Sequence, residues 1–151
     1  MNRLLIYLDN CCFNRPFDDQ RAVSVFLETQ AKLMIQDLIK DNILFLVWSF
    51  ILDFENSANP DENVKEDIFS WRDISSTMIH FHNEILTYAE KLVQLGFGKK
   101  DALHITCARK AKADFFITVD KGIIRKAGSL NDIIIVNPIN FINYLEEKDE
   151  T

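Results

Sequence analysis

The chain has 151 residues, 48% hydrophobic and 26% charged, with a net charge of −6. This fits one ordinary globular domain that buries roughly two-thirds of its unfolded surface. Its longest apolar run, Ile43 to Leu52, is interrupted by Ser49 and too short to span a bilayer, and no small-residue cleavage site follows Met1-Asn2-Arg3. A membrane protein and a secreted one are thereby disfavoured, and a cytoplasmic location is expected.

In chain order, a first strand is predicted over about Arg3 to Leu8, where Leu4-Leu5-Ile6-Tyr7-Leu8 ends abruptly at Asp9. A short run of this kind suits a strand buried on both faces of a parallel sheet. Asn10 to Asp19 is polar and turn-rich and reads as a loop. From Gln20 to Lys40, Val23, Phe26, Leu27, Ala31, Met34, Ile35 and Leu38 fit a helical stripe that Asn42 breaks. A second strand follows over Ile43 to Trp48. Ser49 is then an N-cap for a helix holding Ile51, Leu52, Phe54 and Glu55, which stops near Asn59-Pro60.

Asp61 to Asp73 reads as a charged helical excursion and Thr77 to Phe81 as a short third strand. Asn83 is the expected N-cap of a helix with Ile85, Leu86, Ala89, Leu92 and Val93, ended by Gly96. Asp101 opens the next helix, Ala102 to Lys112. Strand four is Phe115 to Val119, closed by Asp120, and strand five is Ile133 to Val136. Asn137-Pro138 starts a last helix with Phe141, Tyr144 and Leu145 on its apolar face. The tail from Glu146 to Thr151 is expected to fray. With no repeat, linker or low-complexity run, residues 1–151 read as a single domain.

Strands alternating with helices predict an α/β fold of three layers, a parallel sheet of about five strands covered on both faces. With strands two and three wound to one side of strand one, and four and five to the other, the order is 3-2-1-4-5. The crevice then opens between strands one and four, at the carboxyl ends where such sheets bind ligands. Those strands end in Asp9 and Asp120.

Asp9, Glu55, Asp101 and Asp120 each sit where a strand or loop hands over to a helix. Each alone has a structural explanation. Asp9 and Asp120 are good turn residues, Asp101 is a good first-turn helix residue, and Glu55 competes with Asp53 on the same helix. Asp114 reads as a solvated turn residue. Jointly, the four would repel one another unless a cation lay between them, and a divalent metal answers that need. Such an ion lowers the pKa of a bound water and offsets charge on a phosphoryl group.

Three cysteines, two of them adjacent, make a poor disulfide framework and read as free thiols. A zinc site from Cys11 or Cys12 with His104 and Cys107 is the lesser alternative, since the chain has no CxxC pair. His80 and His82 read as solvated or core residues. Between Lys99 and Lys126, eight basic residues against three acids give +5 and leave −11 for the rest. Lys99, Lys100, Lys121 and Arg125 flank the acids directly and are placed to hold phosphates. Arg109, Lys110 and Lys112 are equally well read as solvated helix positions.

Leu8-Asp9-Asn10 after the first strand, Glu55 after the second, Asp101-Ala102-Leu103-His104 and Thr118-Val119-Asp120 resemble the PIN-domain nucleases. That family includes the toxin ribonucleases of many prokaryotic toxin–antitoxin pairs, and the resemblance covers essentially the whole chain. It implies a Mg²⁺- or Mn²⁺-dependent endoribonuclease with Asp9, Glu55, Asp101 and Asp120 as its acidic cluster, Thr118 as a water-orienting hydroxyl, RNA as substrate, and an antitoxin and a second copy as partners. Asn10 departs from the Thr or Ser that commonly follows the first Asp, but still donates a hydrogen bond. The alternative is a PIN fold kept as a binding or scaffolding module. A magnesium-dependent phosphatase or receiver domain is disfavoured, because Cys11 stands where the former needs a second acid. The receiver's phosphoacceptor would fall where this chain has His80 and His82.

Overall fold

The computed structural model describes residues 3–149. Five parallel strands, β1 (Leu4–Leu8), β2 (Leu44–Ser49), β3 (Thr77–Ile79), β4 (Phe115–Ile117) and β5 (Ile134–Val136), form one sheet in the order β3-β2-β1-β4-β5. This is the expected α/β architecture and strand order. β1 is central, with Leu4 opposite Leu44 on one edge and Ile6 opposite Phe115 on the other. Ile6, Tyr7 and Leu8 are fully buried. A strand paired on both edges and covered on both faces has no solvated position left, hence its unbroken apolar sequence.

The helices are α1 (Asn10–Asn14), α2 (Val23–Lys40), α3 (Phe50–Ser57), α4 (Glu62–Ile74), α5 (Asn83–Gln94), α6 (Lys99–Lys110), α7 (Lys121–Lys126) and α8 (Pro138–Asp149). α2 packs on α8 and α5 on α6. For this strand order, the right-handed crossovers general to parallel strands put α2 on one face and α5 and α6 on the other, and α8 joins α2, making three layers. Among the described residues, no helix is long and apolar enough to cross a membrane.

Local corrections to the sequence reading have physical causes. The expected loop after Asp9 begins as α1, because Asp9 caps it and Cys12 and Phe13 are buried, followed by a 3₁₀ turn at Arg15–Phe17. α5 is capped by His82 rather than Asn83, the ring accepting from the Glu84 N–H. α6 starts two residues before Asp101, which therefore lies in its first turn. Asp114 is exposed in the bend before β4, as expected, and also accepts from the Leu5 N–H at 2.8 Å while its own N–H donates to Leu5 O, tying the approach to β4 onto β1. The stretch from Glu146 is helical through Asp149, and Glu150 and Thr151 lie outside the described residues.

Candidate active site

The sheet's geometry brings Asp9 beside the end of β4. Leu8 pairs with Ile117, and the Asp9 N–H donates to Ile117 O at 2.9 Å. Asp9 is 5% exposed. One carboxylate oxygen, Oδ1, accepts from the Asn10 N–H at 2.8 Å. The other, Oδ2, accepts from the Thr118 hydroxyl at 2.8 Å and from the Cys11 thiol at 3.4 Å. Thr118 Oγ1 in turn accepts from the Asp120 N–H at 3.1 Å, so one hydroxyl couples the ends of β1 and β4. Asp120 is exposed and caps α7, its Oδ1 accepting from the N–H groups of Gly122 and Ile123. Its Oδ2 has no hydrogen-bond partner among the described residues.

Glu55 arrives from β2. Ser49 caps α3 by accepting from the Leu52 N–H at 3.3 Å, and the helix it starts carries Glu55 toward the end of β1. Glu55 Oε1 is hydrogen-bonded to His104 Nε2, and Oε2 lies 3.5 Å from Asn10 Nδ2. Burial works to raise the Glu55 pKa, but the hydrogen bond and charge of His104, then Lys100 and Asn10, outweigh it and hold the carboxyl below its ordinary value. Asp53, the rival acid, is used elsewhere: its Oδ1 accepts from Trp48 Nε1 at 2.8 Å and from Arg72 Nη1 at 3.0 Å.

Asp101 is half-buried in the first turn of α6. Among the described residues nothing donates a hydrogen bond to its carboxylate. Burial, then the charges of Asp9 and Asp120, push it up to about 6, with Glu55 adding to the rise and His104 opposing it. Asp101 thus feels the charges of Asp9, Asp120 and Glu55, which follow β1 and β4 and lie on α3 after β2. Among the described residues, no three His, Cys, Asp or Glu side chains stand close enough together to hold an ion as they are. The zinc alternative finds no support, because both His104 nitrogens are engaged, Nδ1 with Tyr7 and Nε2 with Glu55. His80 is exposed and His82 caps α5.

The cations divide in two. Arg109 pairs with Asp132 and Lys110 with Glu84, while Lys126 donates to Gly96 O at 2.6 Å. Lys99, Lys100, Lys121 and Arg125 are exposed and carry no ion pair among the described residues. The residue that sequence reasoning undervalued is His104, with Tyr7 and Ser49 behind it. Its signals were an Asp and a His one helical turn apart on α6, and a Tyr two residues before Asp9 on the same face of β1.

Comparison with solved structures places the architecture. The chain superposes on FitAcB from Neisseria gonorrhoeae with a TM-score of 0.53 and 17% identity, over 88% of this chain and 97% of that one. It superposes on VapBC2 from Rickettsia felis, bound to a DNA fragment from their promoter, with a TM-score of 0.53 and 15% identity, over 89% and 98%. The fold is PIN-like. At such identities the likeness is one of fold alone. No protein-family model and no curated protein matches the sequence.

Proposed function

We propose that this protein is a Mg²⁺- or Mn²⁺-dependent endoribonuclease, acting as the toxin of a toxin–antitoxin pair. The observation that carries the reading is Asp101, a half-buried carboxyl that receives no hydrogen bond among the described residues and is pushed to about 6 by burial and by its acidic neighbours. Negative charge gathered at the switch point of a parallel sheet calls for a cation.

By chemistry the donor set suits a hard divalent ion, which would draw the side chains closer together than they stand. Asp9, Glu55, Asp101 and Asp120 offer only carboxylate oxygens, which suit Mg²⁺ or Mn²⁺, with water completing the shell. Asn10 Oδ1, on the amide beside Glu55, is a buried acceptor with no partner, and Asp120 Oδ2 is equally unengaged. When bound, such an ion supplies a water of lowered pKa and offsets charge developing on a phosphoryl group. The chain's own groups do the rest. Thr118 keeps Asp9 aligned with the loop of Asp120, and Lys99, Lys100, Lys121 and Arg125 hold RNA phosphates around the acids. RNA, an antitoxin and self-association all belong to this reading through the family resemblance.

The test is cleavage of structured and unstructured RNA with and without Mg²⁺ or Mn²⁺. Ion-dependent cutting by the wild type, lost in Asp9→Asn, is expected. Equal cutting by Asp9→Asn, or cutting in chelator, would sink the proposal. A PIN-like module that binds without cutting is the competing reading. It is favoured by the engagement of Glu55 with His104, and becomes the better one if the wild type binds RNA yet leaves it intact with both ions.

A further inference from the structure

Behind the acids lies a buried chain of hydrogen bonds that the retention of a cation does not by itself require. Ser49 ends β2, Tyr7 lies on β1 two residues before Asp9, and His104 lies on α6 one turn after Asp101. All three are buried. The Tyr7 hydroxyl is 2.6 Å from Ser49 Oγ and 2.6 Å from His104 Nδ1. A carboxylate only accepts, so His104 Nε2 carries the hydrogen that meets Glu55 whatever the charge of the ring. With the ring neutral, Tyr7 donates to Nδ1 and Ser49 donates to the Tyr7 oxygen. Ser49 Oγ accepts from the Leu52 N–H of α3, the helix that carries Glu55. The chain therefore closes on itself across β1, β2, α3 and α6.

A closed polar network in a core fixes geometry more strongly than apolar packing does, because each member is costly to leave unpaired. His104 Nε2 also lies 3.7 Å from Asp9 Oδ1, between the two carboxylates. We infer that His104 is a positioning residue for Glu55: anchored through Tyr7 and Ser49, it holds Oε1, so that Oε2, met among the described residues only by Asn10 Nδ2 at 3.5 Å, is the oxygen that would serve a divalent cation. The inference rests on the ribonuclease reading for the identity of that site. It goes beyond it by giving a residue outside the acid cluster a defined task. Partners that hydrogen-bond a ligating carboxylate set its orientation, and their loss typically costs about 10–100-fold in metal affinity or activity.

The experiment measures Mn²⁺ binding to the full chain, without RNA, by electron paramagnetic resonance, alongside RNA cleavage. His104→Asn keeps a polar group near Tyr7 but is too short to reach Glu55, and should weaken Mn²⁺ binding by about 10–100-fold. His104→Gln, whose amide N–H extends toward the position of Nε2, should recover most of the loss. The combination of His104→Asn with Glu55→Gln should bind no worse than Glu55→Gln alone, since His104 acts through Glu55. Should His104→Asn not fold, Tyr7→Phe carries the same comparison, with a smaller loss that again vanishes in the Glu55→Gln background. Additive penalties, or wild-type Mn²⁺ affinity in folded His104→Asn, would overturn the inference, and cleavage by the wild type would then still uphold the ribonuclease reading. Intact coupling with no RNA cleavage would remove the ribonuclease reading and leave the positioning of Glu55 standing. A wild type that binds no Mn²⁺ overturns both.

Discussion

Asp101 is the residue at which uncompensated charge collects in the metal-free protein. Its folded pKa of about 6 lies above its ordinary 3.8, so ionising it works against folding. The penalty is absent below about pH 4, grows as pH rises toward 6, and is complete above that. Asp101→Asn should therefore raise the melting temperature of the metal-free protein at pH 7.5, with the gain fading on acidification and gone near pH 4. A gain that stays constant from pH 4 to 8 would rule out charge relief as its cause. Asp9 and Asp120 are legible in the sequence because each ends an apolar run; Asp9 directly follows β1, whereas β4 stops at Ile117, short of the expected Val119, and Asp120 caps α7. Glu55 is less legible, since Asp53 shares its helix and only the tertiary contacts to Trp48 and Arg72 remove that rival. His104 is the least legible, because its hydrogen bonds join three segments far apart in sequence.

At the scale of the element, α2 marks the limit of reading periodicity. Its sequence stripe includes Val23, Phe26, Leu27 and Met34, yet these are exposed, Val23 at 72%, while Thr29, Ala31, Lys32, Ile35, Gln36 and Ile39 are buried. An 18-residue helix rich in apolar residues around its circumference offers more than one face, and the β1–β2 crossover, not the period, decides which one turns inward. Lys32 is the cost of that choice. It is 2% exposed, with Nζ 5.6 Å from the centre of the Phe13 ring and no ion pair among the described residues. Burial lowers its pKa from 10.5 to about 8, partly opposed by Cys12 and Asp67. A lysine depressed in the folded state destabilises it fully below about pH 8, and the penalty fades as pH rises toward 10.5. Lys32→Met should gain about 1–3 kcal/mol at pH 7, taking about 1.4 kcal/mol per pKa unit as the scale. That gain should be largely gone by pH 10.5. Urea denaturation at both pH values measures it, and an unaltered midpoint at pH 7 would show that the burial is compensated.

At the scale of the whole molecule, alternation and right-handed crossovers leave few topologies open, and the one with strands two and three wound to one side of strand one is the order observed. What the sequence cannot divide is the basic segment. The fold directs Arg109 and Lys110 to ion pairs with Asp132 and Glu84, and leaves Lys99 and Lys100 in the first turn of α6 beside Asp101. Lys100 lies over the exposed Phe54 ring at 5.8 Å and is close enough to help depress Glu55. A net charge of −6 works against polyanion binding at long range, so RNA affinity must come from these few local cations. Each phosphate contact contributes about 0.7 to the slope of log affinity against log salt for a single strand. Replacing Lys99 and Lys100 together with alanine should therefore flatten that slope by about 1.4 and weaken binding similarly across RNA sequences. The measurement is affinity for unpaired RNA over a salt series, in Ca²⁺ to limit cleavage. Slopes that coincide for wild type and double variant would take α6's first turn out of the binding path and leave Lys121 and Arg125 as the remaining cations beside the acids.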